Sequence, residues 1–340
     1  MVSKRVTLAV AAAAVLGLAA CSSSSSSPKA TTPPAGGSSS APAATGSSSG
    51  GAQPSVKANI TIGVGTGAFV APLATTANFP GLTIKQQIVN SGAAAIPLLL
   101  NGQIQFTAAD SVGALTAISH GVPIQIVAVA ASTGSTPQND NTGVLVKNGS
   151  SIKSAVDLAG KKVGVNGIGN AAQLYAAAAI DKLGGDSTKV HFVELPPPSF
   201  NAAVAKGTID AAVTSEPGLV LGKAAGLHVL FSPGAEALPS SPLFVYVTSK
   251  SYAGSHRDVV AAFANDMVKA NTYASTHPQL TRNFAAQANH LTPAQSAAFI
   301  LPQFTPAAIS SSALQGVVDL MVKYKTIASP VDLSKALFTP

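Results

Sequence analysis

The 340-residue chain has a single cysteine, Cys21, no tryptophan, and only 5% aromatic residues. One cysteine excludes an intramolecular disulfide. Charge is also sparse: 10% of residues are charged, and the first aspartate or glutamate in the chain is Asp110. The formal net charge of +7 is mild and includes Lys4 and Arg5 beside the N-terminus. Scattered lysines without interleaved aromatics argue against a nucleic-acid surface. The 6 histidines lie far apart along the sequence, so no metal-ligand spacing is present. Phosphate-loop, nucleophile-elbow and paired-histidine patterns are missing as well. Gly63, Gly65 and Ala68 satisfy the permissive dinucleotide fingerprint, but the acid that would hold a ribose about 20 residues on is missing. These absences argue against a dehydrogenase and a hydrolase, and neither a catalytic residue nor a cofactor is expected.

The N-terminus carries a different signal. Lys4 and Arg5 precede an apolar run from Val6 to Ala20, about 15 residues and too short to span a bilayer as a mature helix. Residues 1–20 read as a signal peptide. The ending Leu18-Ala19-Ala20-Cys21 resembles the bacterial lipobox, which implies that Cys21 is lipidated; the competing reading is an ordinary signal cleaved nearby. Residues 21–57 are mostly Ser, Ala, Gly, Pro and Thr, and cannot bury enough surface to offset their ordering entropy. A flexible tether of this length reaches on the order of 35 Å. No later segment is apolar for long enough to cross a membrane, so the expected body is extracytoplasmic and held to the membrane by lipid alone.

From residue 58 onward the chain is longer than one small core usually holds, which points to two lobes. The unit that organises them is clearest between Leu158 and Gly185. Lys162 to Val165 reads as a buried strand, Gly167 and Gly169 as a turn, Asn170 as an N-cap, Ala171 to Leu183 as a helix, and Gly184 as its stop. Strands at Asn59–Val64, Leu82–Val89, Ile104–Ala108 and Ile124–Ala130 alternate with helices at Pro72–Ala77, from Ser91, and from Ala109. This order predicts an α/β protein with mostly parallel sheets and flanking helices. A polar break at Ser132–Thr142 reads as an interlobe crossing, and everything after Tyr252 reads as helical and returning to the first lobe. The expected division is therefore 58–133 plus 252–340 for the first lobe and 134–251 for the second. Hinges are expected at Ser132–Thr136 and Lys250–Gly254. The segments LLLNGQIQFTAADS and AAVAKGTIDAAVTSEP share one grammar: helix end, glycine turn, strand, then a small polar loop with an acid. Ligands bind beyond the carboxyl ends of such strands, so two facing lobes make a cleft with helix N-termini on both walls.

The run GVGTGAF, VNSGAA, LNGQIQFTAADS, GVPIQIVA, SIKSAVDLAGKKVGVNGIGN and VELPPPSFNAAVAKGTIDAAVTSEP, behind a lipobox and a serine-rich tether, resembles one family. It is similar to the extracytoplasmic solute-binding proteins of ABC importers for nitrate, aliphatic sulfonates and taurine, a family that extends to binders of thiamine-pyrimidine precursors. The resemblance covers about Asn59 to Thr276 and implies a two-lobed periplasmic-binding-protein fold, type II-like. It also implies a monomer that closes on a small solute and partners with an ABC permease and ATPase, without catalysis. The family's ligand contacts carry over onto Thr66, Gly67, Ala68, Ser91, Gly92, Asp110 and Ser111 in the first lobe, and onto Gly169, Asn170 and Glu216 in the second. Each has a plainer reading. The glycines shape turns, Ser91 and Asn170 cap helices, Asp110 caps its own helix, and Glu216 is an exposed carboxylate or an interlobe contact. Relatives often carry a large aromatic near this last position, where this chain has Ser215-Glu216-Pro217. The body's two arginines, Arg257 and Arg282, lie outside the expected cleft loops, and those loops hold no lysine. An anionic group would then rest on N–H groups and hydroxyls. Asp110 and Glu216, where they face the cleft, would repel a bare anion but suit an amine or protonated ring nitrogen. A neutral, zwitterionic or cationic solute such as an aminosulfonate or a thiamine-type pyrimidine therefore fits better than nitrate. The expected solute is a sulfonate or taurine-like compound; the alternatives are a binder of a thiamine-pyrimidine-type precursor and a solute-sensing envelope lipoprotein that serves no importer.

Overall fold

The computed structural model describes residues 56–65, 67–89 and 91–340. The signal, Cys21, nearly all of the tether and Thr66 lie outside the described residues. The strands are β1 (Ala58–Val64), β2 (Leu82–Ile88), β3 (Phe106–Asp110), β4 (Ile124–Ser132), β5 (Thr142–Lys147), β6 (Lys162–Val165), β7 (His191–Glu194), β8 (Ala211–Ser215), β9 (Leu227–Phe231) and β10 (Pro242–Ser249). They form two five-stranded sheets, ordered β2-β1-β3-β10-β4 and β7-β6-β8-β5-β9. In the first, only β10 runs against the others. In the second, only β5 does. The two lobes are thus one design used twice, and β3 and β8, the strands of the two similar segments, hold the same central place.

Alternation builds the cores. Along β10, Leu243, Val245 and Val247 bury on one face of the first sheet beside Ile124 and Ile126, while Tyr246 buries on the other beside Phe263. Along β5, Val144 and Val146 face one core of the second lobe and Leu145 the other. Helices cover both sheets: α1 (Gly92–Leu100), α2 (Ser111–Ser119), α3 (Ala171–Lys182), α4 (Phe200–Lys206), α5 (Gly218–Ala224), α6 (Pro233–Ala237), α7 (Lys250–Ser255), α8 (Arg257–Thr276), α9 (Pro278–Asn289), α10 (Pro293–Ala298), α11 (Ser311–Lys323) and α12 (Leu333–Ala336). After residue 256, α8 and α12 lie against β4 and α11 against α2 of the first lobe. The expected helix at Pro72–Ala77 is instead a pair of short 3-10 turns, Ala68–Ala74 and Thr76–Asn78. Pro72 lies inside the first of them, where its missing N–H interrupts any α-helical ladder.

One boundary differs from the sequence reading. The division at 134–251 places β10 in the second lobe, yet β10 pairs antiparallel between β3 and β4 of the first. The chain therefore recrosses between Phe231 and Pro242, and Lys250–Gly254 lies in α7 at the far end of β10. An apolar run identifies a strand but not its sheet, because the pairing partner is distant in sequence. The crossings run side by side. The Thr133 N–H donates to the Ser241 carbonyl at 2.9 Å, and the Ser240 N–H donates to the Gly134 carbonyl at 3.2 Å. Asp140, fully buried between them, accepts the Ala235 N–H at 2.6 Å and the Thr142 hydroxyl at 3.0 Å. Burial pushes its carboxyl above the ordinary range against the pull of those donors.

Candidate functional site

The carboxyl ends of β1, β3, β6 and β8 face one another across a cavity of about 340 Å³. This lies within the roughly 300–1,000 Å³ usual for small-molecule sites. Both lobes line it, and the lining includes no lysine, arginine or histidine.

The first-lobe wall is built around the start of α1. Ser91 caps this helix, its Oγ accepting the Ala94 N–H at 3.1 Å. Gly92 and Ala93 follow, and their N–H groups find no acceptor among the described residues. Gly92 must be glycine, because a Cβ there would lie 2.6 Å from Ala109 Cα and 2.8 Å from the Ala108 carbonyl. Gly67 leaves room in a similar way, since a Cβ would strike the ring of Phe69. That ring stacks on Phe244 with centroids 4.1 Å apart and planes 8° apart, forming an aromatic wall.

The second-lobe wall is the unit from β6 to α3. Gly169 takes the left-handed φ of +78° that lets the chain turn into α3. Asn170 caps the helix by accepting the Gln173 N–H at 3.3 Å, and its amide donates to Asn166 Oδ1 at 2.9 Å. The Ala172 N–H on the cavity wall has no acceptor among the described residues. Tyr175, one turn further in, is 2% exposed, and burial pushes its phenol up. Its hydroxyl lies near those of Ser111 and Ser241 but makes no hydrogen bond of sound geometry.

Of the expected contacts, Gly67, Ser91, Gly92, Asp110, Asn170 and Glu216 line the cavity. Ala68, Ser111 and Gly169 do not. Ala68 packs with Val220, Ala285 and Phe299, Ser111 is fully buried at the start of α2, and Gly169 shapes the turn behind the wall. The two carboxylates are engaged by backbone. Asp110 Oδ1 accepts the Gly113 N–H of its own helix at 2.8 Å and the Ala171 N–H of α3 at 3.3 Å. Glu216 is 5% exposed; it accepts the Val220 N–H at 3.0 Å through Oε2 and the Ile300 N–H at 3.1 Å through Oε1. Burial raises both carboxyls above their ordinary range, and the same N–H groups pull them partly back. Glu216 is thus the interlobe contact, and Asp110 is a helix cap and an interlobe contact at once.

Sequence reasoning does not find Phe69, Asn166, Tyr175, Phe200, Thr214 or Phe244 on this wall. Only Phe69 has a local signal, as the residue closing GVGTGAF; Phe244 reaches the site through the placement of β10 in the first sheet. Among the described residues no group of three or more His, Cys, Asp or Glu could hold a metal ion, and no helix is long and apolar enough to cross a membrane.

Comparison with known proteins adds to this geometry. The model of a family described as NMT1/THI5 like matches residues 80–281. The taurine-binding periplasmic protein of Escherichia coli (strain K12) is 29% identical over 216 residues, which cover 62% of this chain and 65% of that protein. The chain thus spans less than two thirds of that relative's length. Among solved structures, the periplasmic aliphatic sulphonate binding protein SsuA from Escherichia coli has a TM-score of 0.68 at 19% identity, covering 85% of this chain and 93% of that one. The alkanesulfonate-binding protein SsuA from Xanthomonas axonopodis pv. citri, bound to MOPS, has a TM-score of 0.66 at 20% identity, covering 84% and 99%. A Candida albicans gene product described as having the generic periplasmic binding protein fold has a TM-score of 0.65 at 14% identity, covering 82% and 96%. At these identities the likeness establishes the two-lobed periplasmic-binding-protein fold and nothing further.

Proposed function

The chain belongs to the NMT1/THI5-like family, and from that premise we propose that it binds a small organic solute outside the membrane and delivers it to an ABC importer. The observation that carries this reading is the interlobe cavity, walled by the N-termini of α1 and α3 from opposite lobes and free of basic side chains. N–H groups at two helix starts that meet no acceptor among the described residues make a seat for the oxygens of an anionic headgroup, each start contributing about 0.3–1 kcal/mol when exposed and up to about 2 when partly buried. The apolar wall of Phe69, Phe244 and Phe200 takes the organic body. A sulfonate of the taurine or alkanesulfonate type has this division, and the names of the relatives agree with it. The protein's role is binding, with no reaction carried out on the solute. Partners are a permease and its ATPase, and the body works as a monomer. Titration of the purified protein with taurine, alkanesulfonates, nitrate and an aminopyrimidine tests the assignment. Saturable heat with a sulfonate is expected; binding of nitrate or the aminopyrimidine with no response to any sulfonate overturns it.

We further propose that Cys21 carries a lipid anchor, on the strength of Leu18-Ala19-Ala20-Cys21 and the polar tether behind it. Changing Cys21 to alanine is expected to release the protein from the membrane fraction or to leave the precursor uncleaved. A correctly processed variant that still sediments with membranes excludes the anchor.

A further inference from the structure

We propose that Asp110 and Glu216 form a matched pair of interlobe latches that set the balance between the open and closed protein. Each stands at the carboxyl end of the central strand of its own sheet, Asp110 ending β3 and Glu216 directly following β8. Each holds one N–H of the helix that follows it: Asp110 takes Gly113 of α2 at 2.8 Å, and Glu216 takes Val220 of α5 at 3.0 Å. Each also reaches one N–H across the cleft. Asp110 takes Ala171 at the start of α3 at 3.3 Å, and Glu216 takes Ile300, beyond α10, at 3.1 Å. The segment holding Ile300 is fixed to the first lobe, since the Ser132 N–H donates to the Gln303 carbonyl at 2.7 Å and Ser132 Oγ meets Thr305 Oγ1 at 2.6 Å. One latch therefore runs from the first lobe to the second, and the other runs back.

Neither carboxylate forms an ion pair among the described residues, so their charge is met by backbone donors. Such charge-assisted bonds are roughly twice as strong as neutral ones. The half of each latch within its own lobe survives opening, whereas the half that crosses the cleft does not. Loss of a crossing bond therefore acts on closure, separately from any effect on helix capping.

The ligand-free arm of the test needs no assumption about the solute; the second arm rests on the solute-binding reading. Dyes on cysteines introduced at the exposed Lys85 and His191, one on each lobe, in a chain with Cys21→Ser, report the open and closed populations by single-molecule energy transfer. Asp110→Ala and Glu216→Ala are each expected to lower the closed-to-open ratio about tenfold, as loss of a charged hydrogen bond implies. Asp110→Asn and Glu216→Gln, which preserve shape, shift it in the same direction by less and cover the case in which an alanine variant fails to fold. Taurine affinity falls in step with the closed fraction. Populations identical to the parent chain in all four variants, with only the melting temperature lowered, reduce the carboxylates to helix caps and overturn the proposal. An affinity loss with unchanged ligand-free populations makes them solute contacts and overturns it equally. If the parent chain binds no taurine, the functional reading fails while the ligand-free arm still decides on the latches.

Discussion

Phe263→Ala is expected to remove about 3–5 kcal/mol of stability, the cost of emptying a large, fully enclosed aromatic site. Phe263 is 0% exposed on the inner side of α8, and it joins helix to sheet. Its ring stacks on Phe106 of β3 at 4.2 Å, meets Tyr246 of β10 edge-on at 5.4 Å, and lies 6.3 Å from Phe79. The backbones beneath Phe106 and Tyr246 are held in β3 and β10, paired interior strands of the first sheet, which resists closing the gap. The melting temperature should fall by on the order of 10 °C for a chain of this size. Phe263→Leu, which keeps most of the volume, should lose well under half as much. Denaturant unfolding of both variants checks this, and a loss below about 1 kcal/mol for the alanine variant shows that the site collapses instead of staying open.

What can be read from the sequence is local. Asn170, Gly169 and Gly184 place α3 within a residue of its observed ends because a cap, a left-handed turn and a stop act on their immediate neighbours. Capping by Ser91 and Asp110 is legible for the same reason, and both caps are made. The shared grammar of the segments around β3 and β8 discloses the repeated lobe, since it lies in sequence order and not in contacts. What fails is long-range. The sheet that takes β10 is settled by its pairing with β3 and β4, more than 100 residues earlier in the chain. The partner of Glu216 is Ile300, 84 residues away, in a stretch with no motif. Phe69 and Phe244 stack only once β10 has joined the first sheet. The family resemblance points to the same family that the comparison found, yet its residue-by-residue site does not separate cavity-lining positions from neighbours such as Ala68, whose side chain packs elsewhere.

Gly92→Val is expected to cost at least tenfold in solute affinity and about 1–3 kcal/mol in stability, the usual range for forcing extra carbons into a packed site. Gly92 opens α1 directly against the end of β3, where a Cβ would sit 2.5 Å from Ala109 Cβ and 2.8 Å from the Ala108 carbonyl oxygen. Carbon atoms settle about 3.5–4.0 Å apart, so one side must retreat by about 1 Å. β3 cannot, because it is hydrogen-bonded on both edges, to β1 and to β10. The start of α1 must then move, and with it Ser91 and Gly92, which line the cavity together with Asn170 and Ala171 of the second lobe. A headgroup seated on both helix starts would lose its geometry on one of them. Gly65→Ala is the contrast: it also lines the cavity, but a Cβ there meets nothing within 4 Å, so its stability should be unchanged. Calorimetric titration with whichever sulfonate the parent chain binds, alongside thermal unfolding, measures both effects. A Gly92→Val protein that is destabilised but binds with parental affinity would remove the α1 N-terminus from the binding site and leave α3 as the headgroup's only seat.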